Sequence, residues 1–237
     1  MTNEFRMGTS VITVRVSNEP SHCDFAVHEN LLRKSSHFFE KALGGPWRES
    51  QQKMINLPDI SISAMKTYVQ WLYSGRLHIT KDDAGELIQH ASKWERLVEG
   101  YLFGNYIQDT DYKDSMVDAM VEQIGSKESE KNTPAMEYVS IVFDASAPSS
   151  PIRDFFTDVG IWAVDHSFWA KASEEHQKSD VKGIPWKDCL SQDYCFKVLA
   201  GITHRLERKT KSPFLKRTMP CRYHCHGIEQ CYKTKPP

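Results

Sequence analysis

The residues best suited to chemistry lie beyond residue 220. Cys221, His224, His226 and Cys231 have the spacing Cys-x2-His-x-His-x4-Cys, and Cys225 adds a further thiol inside it. Zinc in proteins favours four tetrahedral ligands drawn from thiolate sulfur and imidazole nitrogen. The segment has few apolar residues, so the energy of metal binding could replace a hydrophobic core. The pattern therefore predicts a zinc site in this tail.

Two other interpretations of the tail stay open. Cys221 and Tyr223 could pack on neighbouring helices, or the cysteines could be redox-active. A His-x-His pair must also bend the backbone sharply to aim both rings at one ion. Gly227 would help, because glycine adopts backbone conformations that other residues disfavour.

Enzyme motifs are incomplete along this sequence. His28-Glu29 opens like the metalloprotease motif His-Glu-x-x-His, but position 32 is leucine, so the second histidine is missing. His28 is therefore interpreted as a structural residue. The sequence contains neither a Gly-rich phosphate loop nor a Gly-x-Ser-x-Gly elbow. We expect that the protein is not an enzyme and that it has no catalytic residues.

Composition narrows the expected partners. The formal net charge is -1 over 237 residues, which gives no global electrostatic reason for binding nucleic acid or a membrane surface. No apolar run approaches the ~20 residues of a membrane span, and the first residues do not resemble a signal peptide. We expect a cytoplasmic or nuclear protein with reduced thiols. The basic stretch from Arg205 to Arg217 offers an alternative, a nucleic-acid or nuclear-import patch.

The first 60 residues predict a hairpin, two helices and a third strand. Residues 10–16 and 23–27 alternate apolar and polar side chains around a turn cluster. A short helix through Leu31 and Leu32 precedes a second one that Ser35 or Ser36 could cap and that ends at residues 44–46. Residues 54–57 form the third strand candidate.

Helical periodicity dominates after residue 61. Five sets of apolar residues have helical spacing and are expected to be buried: Ile62, Met65, Val69 and Leu72; Leu87, Ile88, Ala91, Trp94, Leu97 and Val98; Met116, Val117, Met120, Val121 and Ile124; Ile152, Phe155, Phe156, Val159 and Trp162; and Phe196, Leu199, Ile202 and Leu206. The second set belongs to a helix that opens at Thr80, and the fourth to a helix that starts at Ser150-Pro151. The acidic segment 109–130 is interpreted as a solvated helix face, with an acidic docking surface as the alternative.

Three ordered segments resemble the BTB/POZ family. They are Phe25-Ala-Val-His-Glu-Asn-Leu-Leu32 followed by Ser35-Ser-His-Phe-Phe39, then Ile55-Asn-Leu-Pro-Asp59, then Met65 to Gly75. The tail Cys221-Arg-Tyr-His-Cys-His226 is similar to the Cys-x-Tyr-His-x-His ending of fungal BTB proteins. The resemblance implies an α+β fold, a small sheet with clustered helices, followed by a mostly α-helical region.

This resemblance sets the expected organisation. Residues 8–125 are the BTB/POZ-like domain, 126–134 a linker, 135–219 the helical region and 220–237 the Cys/His-rich tail. The resemblance implies that the first strand and first helix pair with a second copy, for which Val11, Ile12, Leu31 and Leu32 are available; the monomer core is the alternative place for them.

The expected function is protein–protein interaction with self-association as a homodimer. For part of the family the resemblance implies a role as scaffold or substrate adaptor for a cullin-type ubiquitin ligase, and this is the role expected here. The alternative is a nuclear or transcriptional regulator that contacts nucleic acid through the basic segment and the tail.

Overall fold

The computed structural model describes residues 8–18, 20–79, 92–125, 133–167, 169–170, 190–215, 221–228 and 230–235. The proposed helix start at Thr80, with its stripe residues 87, 88 and 91, lies outside these ranges. So do residues 126–132 of the expected linker and the basic residues Lys216 and Arg217.

In the described part of the chain, a three-stranded sheet is built from β1 (Val11–Val16), β2 (Cys23–His28) and β3 (Met54–Leu57). β1 lies in the middle, antiparallel to β2 and parallel to β3. Ile12, Val14 and Val16 are at most 1% exposed, because alternate side chains of a strand point to the same face. The predicted hairpin and third strand are confirmed.

Short helices lie between β2 and β3 in the chain, and together with β2 they form the long connection that joins β1 to its parallel neighbour β3. They are α1 (Glu29–Ser35), α2 (His37–Gly44) and α3 (Arg48–Gln52). Ser36 is the N-cap of α2, and its hydroxyl accepts a hydrogen bond from the Phe39 backbone N–H. Of the two serines proposed as caps, Ser36 has this role. Phe39 is fully buried in the core.

Two longer helices follow among the described residues of the first unit. α4 (Ile62–Ser74) begins at the N-cap Ser61 and ends at Gly75, whose φ of 65° is in the left-handed region. α5 (Lys93–Tyr106) begins with a capping box formed by Ser92 and Glu95. The predicted stop at Gly75 is confirmed, and Trp94, Leu97 and Val98 are buried as expected. The prediction that they continue a helix opened at Thr80 is wrong, because Ser92 has extended backbone and caps a new helix.

The buried face of α4 differs from the predicted stripe. Met65 is buried as expected, but Val69 and Leu72 are only half-buried. Tyr68 and Trp71 occupy the core instead, with stacked rings whose centroids are 6.1 Å apart. Both sets of residues have helical spacing, and the aromatic set buries more surface.

Helix α6 (Thr110–Gly125) carries the predicted buried residues Met116, Val117 and Met120. Its acidic residues are not uniformly solvated. Asp114 is 0% exposed, as is Asp109, which immediately precedes the helix. The interpretation of residues 109–130 as one solvated face is therefore wrong for these two carboxylates.

In the described residues after α6, three further α-helices are α7 (Met136–Ala145), α8 (Pro151–Trp162) and α9 (Gln192–Arg208). Pro151 occupies the first turn of α8, as predicted, and Phe155 and Phe156 are fully buried. The stripe predicted for α9 is wrong: Phe196 and Leu199 are 67% and 59% exposed. Leu206 is exposed as well. Tyr194 and Val198 are the buried residues, because Gly160 of α8 leaves space that their side chains fill.

The described chain divides into two compact units. The first contains residues 1–116 and 226–237, and the second residues 117–225. The domain limits expected from the sequence stay a prediction. Among the residues described, no helix combines the length and apolar character needed to cross a membrane.

Candidate functional site

A groove opens beside α2 and α3 in the first unit. It holds a volume of about 640 Å³, and its walls include Phe38, Lys41, Trp47, Arg48 and Glu49. Trp47, which follows the turn at residues 44–46, is 61% exposed. A large exposed aromatic ring beside charged groups is the kind of side chain that anchors protein interfaces. This groove is therefore a candidate surface for a protein partner.

The position of the Trp47 ring depends on Gly45. A Cβ atom added at Gly45 would lie 2.4 Å from Trp47 Nε1 and 2.5 Å from its Cδ1. The indole therefore lies directly against the Gly45 backbone, and a larger residue at position 45 would displace it. The Gly-Gly-Pro turn at residues 44–46 thus ends α2 and determines the position of the Trp47 ring.

The residues predicted for self-association occupy different environments. Val11 is 44% exposed at the start of β1. Ile12, Leu31 and Leu32 are 1%, 5% and 0% exposed, so their side chains stabilise the monomer core. In this conformation only Val11, of the four, offers its side chain to a second copy. The interface itself stays a prediction.

A buried carboxylate joins three elements of the first unit. Asp109 Oδ2 accepts hydrogen bonds from Tyr68 Oη, at 2.9 Å, and from Ser35 Oγ. Its Oδ1 accepts from the Tyr112 backbone N–H at 2.9 Å, which caps α6. Burial raises the pKa of Asp109 to about 6, against the opposing effect of these hydrogen bonds. Sequence reasoning missed this residue, although an aspartate just before a helix is a typical N-cap signal.

The tail brings its four predicted metal ligands together. One donor atom from each of Cys221, His224, His226 and Cys231 lies within 4.8 Å of the others. A tetrahedral zinc ion with bonds of ~2.0 to 2.3 Å needs donor atoms about 3.3 to 3.8 Å apart. The donor set and its proximity therefore suit a metal ion after a contraction of about 1 Å. Gly227, directly after the His-x-His pair, has a φ of 58°, in the left-handed region that favours glycine.

Two residues of the same tail pack on α8. Tyr223 is 6% exposed, and its ring contacts that of Phe155 with the centroids 5.4 Å apart. Its hydroxyl donates to Asp158 Oδ2 at 2.7 Å, and Arg222 forms an ion pair with the same oxygen at 2.8 Å. The alternative that Tyr223 packs on the helices is thus confirmed. This packing does not compete with metal binding, because Tyr223 is not one of the four donors.

The basic segment is partly engaged within the second unit. The Arg205 guanidinium lies over the Trp162 ring, 4.4 Å from its centroid, and donates to the Ile161 carbonyl at 2.7 Å. These contacts give Arg205 a structural role at the end of α8.

His28 also has a structural place, at the end of β2. Its Nδ1 lies 2.6 Å from the Tyr73 hydroxyl, and its backbone N–H donates to the same oxygen at 3.1 Å. The interpretation of His28 as a structural histidine agrees with these contacts.

Comparison with known proteins bears on the first part of the chain. Residues 3–96 match the BTB/POZ domain family. Kelch-like protein 38 from Rattus norvegicus is 28% identical over 83 residues, which are 35% of this chain and 14% of that protein. The chain thus spans only a small part of the length of this relative. The hairpin of β1 and β2, helices α1 and α2, and the parallel third strand β3 lie within the matched range. The match therefore identifies a BTB/POZ domain at residues 3–96.

Proposed function

We propose that this protein is an interaction module that pairs with a second copy of itself through its BTB/POZ domain. The observation that carries the proposal is the family match over residues 3–96. The exposed Val11 side chain on β1 supports it, because an apolar group on the first strand is available to a second copy.

Sedimentation of the full chain at micromolar concentration tests self-association. The wild-type protein is expected as a dimer, and Val11→Asp should shift it towards monomer. Ile141→Asp is the matched control, since Ile141 on α7 is 45% exposed against 44% for Val11. A wild-type protein that stays monomeric at high micromolar concentration would refute the proposal.

The partner proposed for the module is a cullin-type ubiquitin ligase scaffold, which the family resemblance implies. In adaptors of this family the helices after the third strand form the binding surface, here α4 and the region after it. We add the groove around Trp47 to this surface, because its exposed ring provides the apolar anchor that a stable protein contact needs.

Binding of a purified cullin N-terminal domain to the full chain tests this proposal. Trp47→Ala should weaken binding by at least tenfold, which corresponds to about 1.4 kcal/mol. Phe196→Ala is the control, because Phe196 is similarly exposed but lies on α9 of the other unit. The proposal fails if the wild-type chain shows no binding at tens of micromolar.

For the tail we propose one bound zinc ion, held by Cys221, His224, His226 and Cys231. Two thiolates and two imidazoles are a donor set that structural zinc sites use. The proximity of the four donors supports this proposal. The ion would cross-link a short segment that has little hydrophobic core of its own.

Metal analysis after dialysis tests the zinc proposal. The expected result is about one zinc per chain, lost in the double variant Cys221→Ser/Cys231→Ser. Cys225→Ser is the control from the same segment, since Cys225 is outside the four-donor group. Zinc-free wild-type protein that takes up no added zinc would contradict the site.

A further inference from the structure

A turn of the tail lies between two of the proposed zinc ligands. The His224 backbone N–H donates to the Cys221 carbonyl oxygen at 3.2 Å, which closes a four-residue turn with Arg222 and Tyr223 at its centre. The two central residues are not among the four proposed ligands. The relative position of the two ligands at the ends of the turn therefore depends on what holds the two side chains at its centre.

One carboxylate of α8 holds both central side chains. Asp158 Oδ2 accepts hydrogen bonds from Arg222 Nε at 3.1 Å, from Arg222 Nη2 at 2.8 Å and from Tyr223 Oη at 2.7 Å. Asp158 is 8% exposed. Hydrogen bonds to an ionised acceptor are stronger than neutral ones, and burial of the carboxylate strengthens them further. The carboxylate therefore restrains the turn at two consecutive residues.

Aromatic packing holds the same turn. The centroid of the Tyr223 ring lies 5.4 Å from that of Phe155 and 6.3 Å from that of Phe214, all within the second unit. Phe155 and Asp158 are three residues apart, so they lie on the same face of α8. One face of α8 thus contacts both the ring and the hydroxyl group of Tyr223.

We propose that Asp158 is a positioning residue for the tail zinc site, one that orders the turn carrying Cys221 and His224 before the ion binds. This inference rests on the zinc site proposed above. Ligands that are already ordered lose less conformational entropy on binding, so their affinity for the ion is higher. The effect is reciprocal: the factor by which Asp158 raises zinc affinity is also the factor by which zinc strengthens the docking of the turn on α8.

Zinc affinity of the full chain, measured by competition with a chelating dye, tests the role of Asp158. Asp158→Ala should weaken zinc binding by about tenfold at unchanged stoichiometry, because two side chains of the turn must then become ordered as the ion binds. Asp158→Asn should lose less, since it keeps an oxygen acceptor. Asp154→Ala is the matched control, because Asp154 is an exposed carboxylate on the same helix, and its affinity should equal that of the wild-type chain.

Hydrogen exchange of residues 221–226 in the zinc-free full chain separates ordering of the turn from a general loss of stability. Asp158→Ala should speed exchange in this segment and leave exchange in α7 of the same unit unchanged. Faster exchange throughout the second unit would overturn the positioning role, because Asp158 would then stabilise the unit as a whole.

The two measurements also distinguish this inference from the zinc site on which it rests. A wild-type chain that binds zinc, with equal affinity in Asp158→Ala, would overturn the role of Asp158 and leave the zinc site standing. A wild-type chain that takes up no zinc would overturn both.

Discussion

Replacing Asp109 with asparagine should change how stability depends on pH. The Asp109 carboxyl group is 0% exposed, and its pKa of about 6 in the folded protein exceeds the ordinary value of 3.8. Between these two values the folded state binds more protons than the unfolded state. The contribution of Asp109 to the free energy of unfolding therefore falls as pH rises from about 4 to about 6, and it is constant above that range.

The size of the effect follows from the shift. A difference of about two pKa units corresponds to about 3 kcal/mol of unfolding free energy, at 1.36 kcal/mol per unit. Asp109→Asn removes the ionisation and keeps an acceptor for the Tyr112 N–H. The new amide can donate to the hydroxyl oxygens of Ser35 and Tyr68. The variant should therefore gain up to about 3 kcal/mol relative to wild type between pH 4 and pH 7.

Urea unfolding of the full chain at a series of pH values from 4 to 7.5 measures this difference. Asp59→Asn controls for the lost charge, because Asp59 is exposed in the same unit. Its stability should follow the wild-type pH curve. Parallel curves for wild type and Asp109→Asn would refute the reasoning, since they would mean that the carboxyl group does not titrate differently in the folded protein.

Three other substitutions have effects set by single contacts. Phe39→Ala should lose ~3 to 5 kcal/mol in urea unfolding, because it empties a fully buried site between α2 and α4. Gly75→Ala should lower the free energy of unfolding by ~1 to 2 kcal/mol through backbone strain alone, because φ is 65° and no atom lies within 4 Å of the added Cβ. Gly75→Asn should lower it less in the same assay. Tyr223→Phe should lower stability by ~1.5 to 3 kcal/mol in thermal unfolding, because it removes the hydrogen bond to Asp158, and an unchanged midpoint would contradict that contact.

Local signals in the sequence predicted several element boundaries. Ser36, Gly75 and Pro151 mark helix ends through capping, left-handed backbone and first-turn geometry, all of which act within a few residues. The alternation in β1 predicted its buried face in the same way. The tail ligands could be proposed because their chemistry and spacing lie within eleven residues of chain.

The buried face of a helix was harder to predict, because more than one set of apolar residues has helical spacing. In α9, Phe196 and Leu199 are more apolar than Tyr194, yet Tyr194 is buried and they are exposed. The choice depends on Gly160 of α8, where a Cβ would lie 2.5 Å from the Tyr194 hydroxyl. This close approach of two helices links residues more than thirty positions apart, and periodicity within one helix carries no information about it.

Acidic residues of α6 that the sequence places in solvent contact other residues of the same chain. Asp111 forms an ion pair with Lys235 at 2.6 Å, and Asp118 approaches His224 at 3.1 Å. The two carboxylates are seven residues apart, which is two helical turns, so they lie on the same face of α6. Lys235 and His224 of the Cys/His-rich tail thus lie against two of these carboxylates. A carboxylate on a helix face needs hydrogen-bond donors. Water can supply them, and so can a basic or histidine-containing segment of the same chain, so the charge pattern alone fits either arrangement.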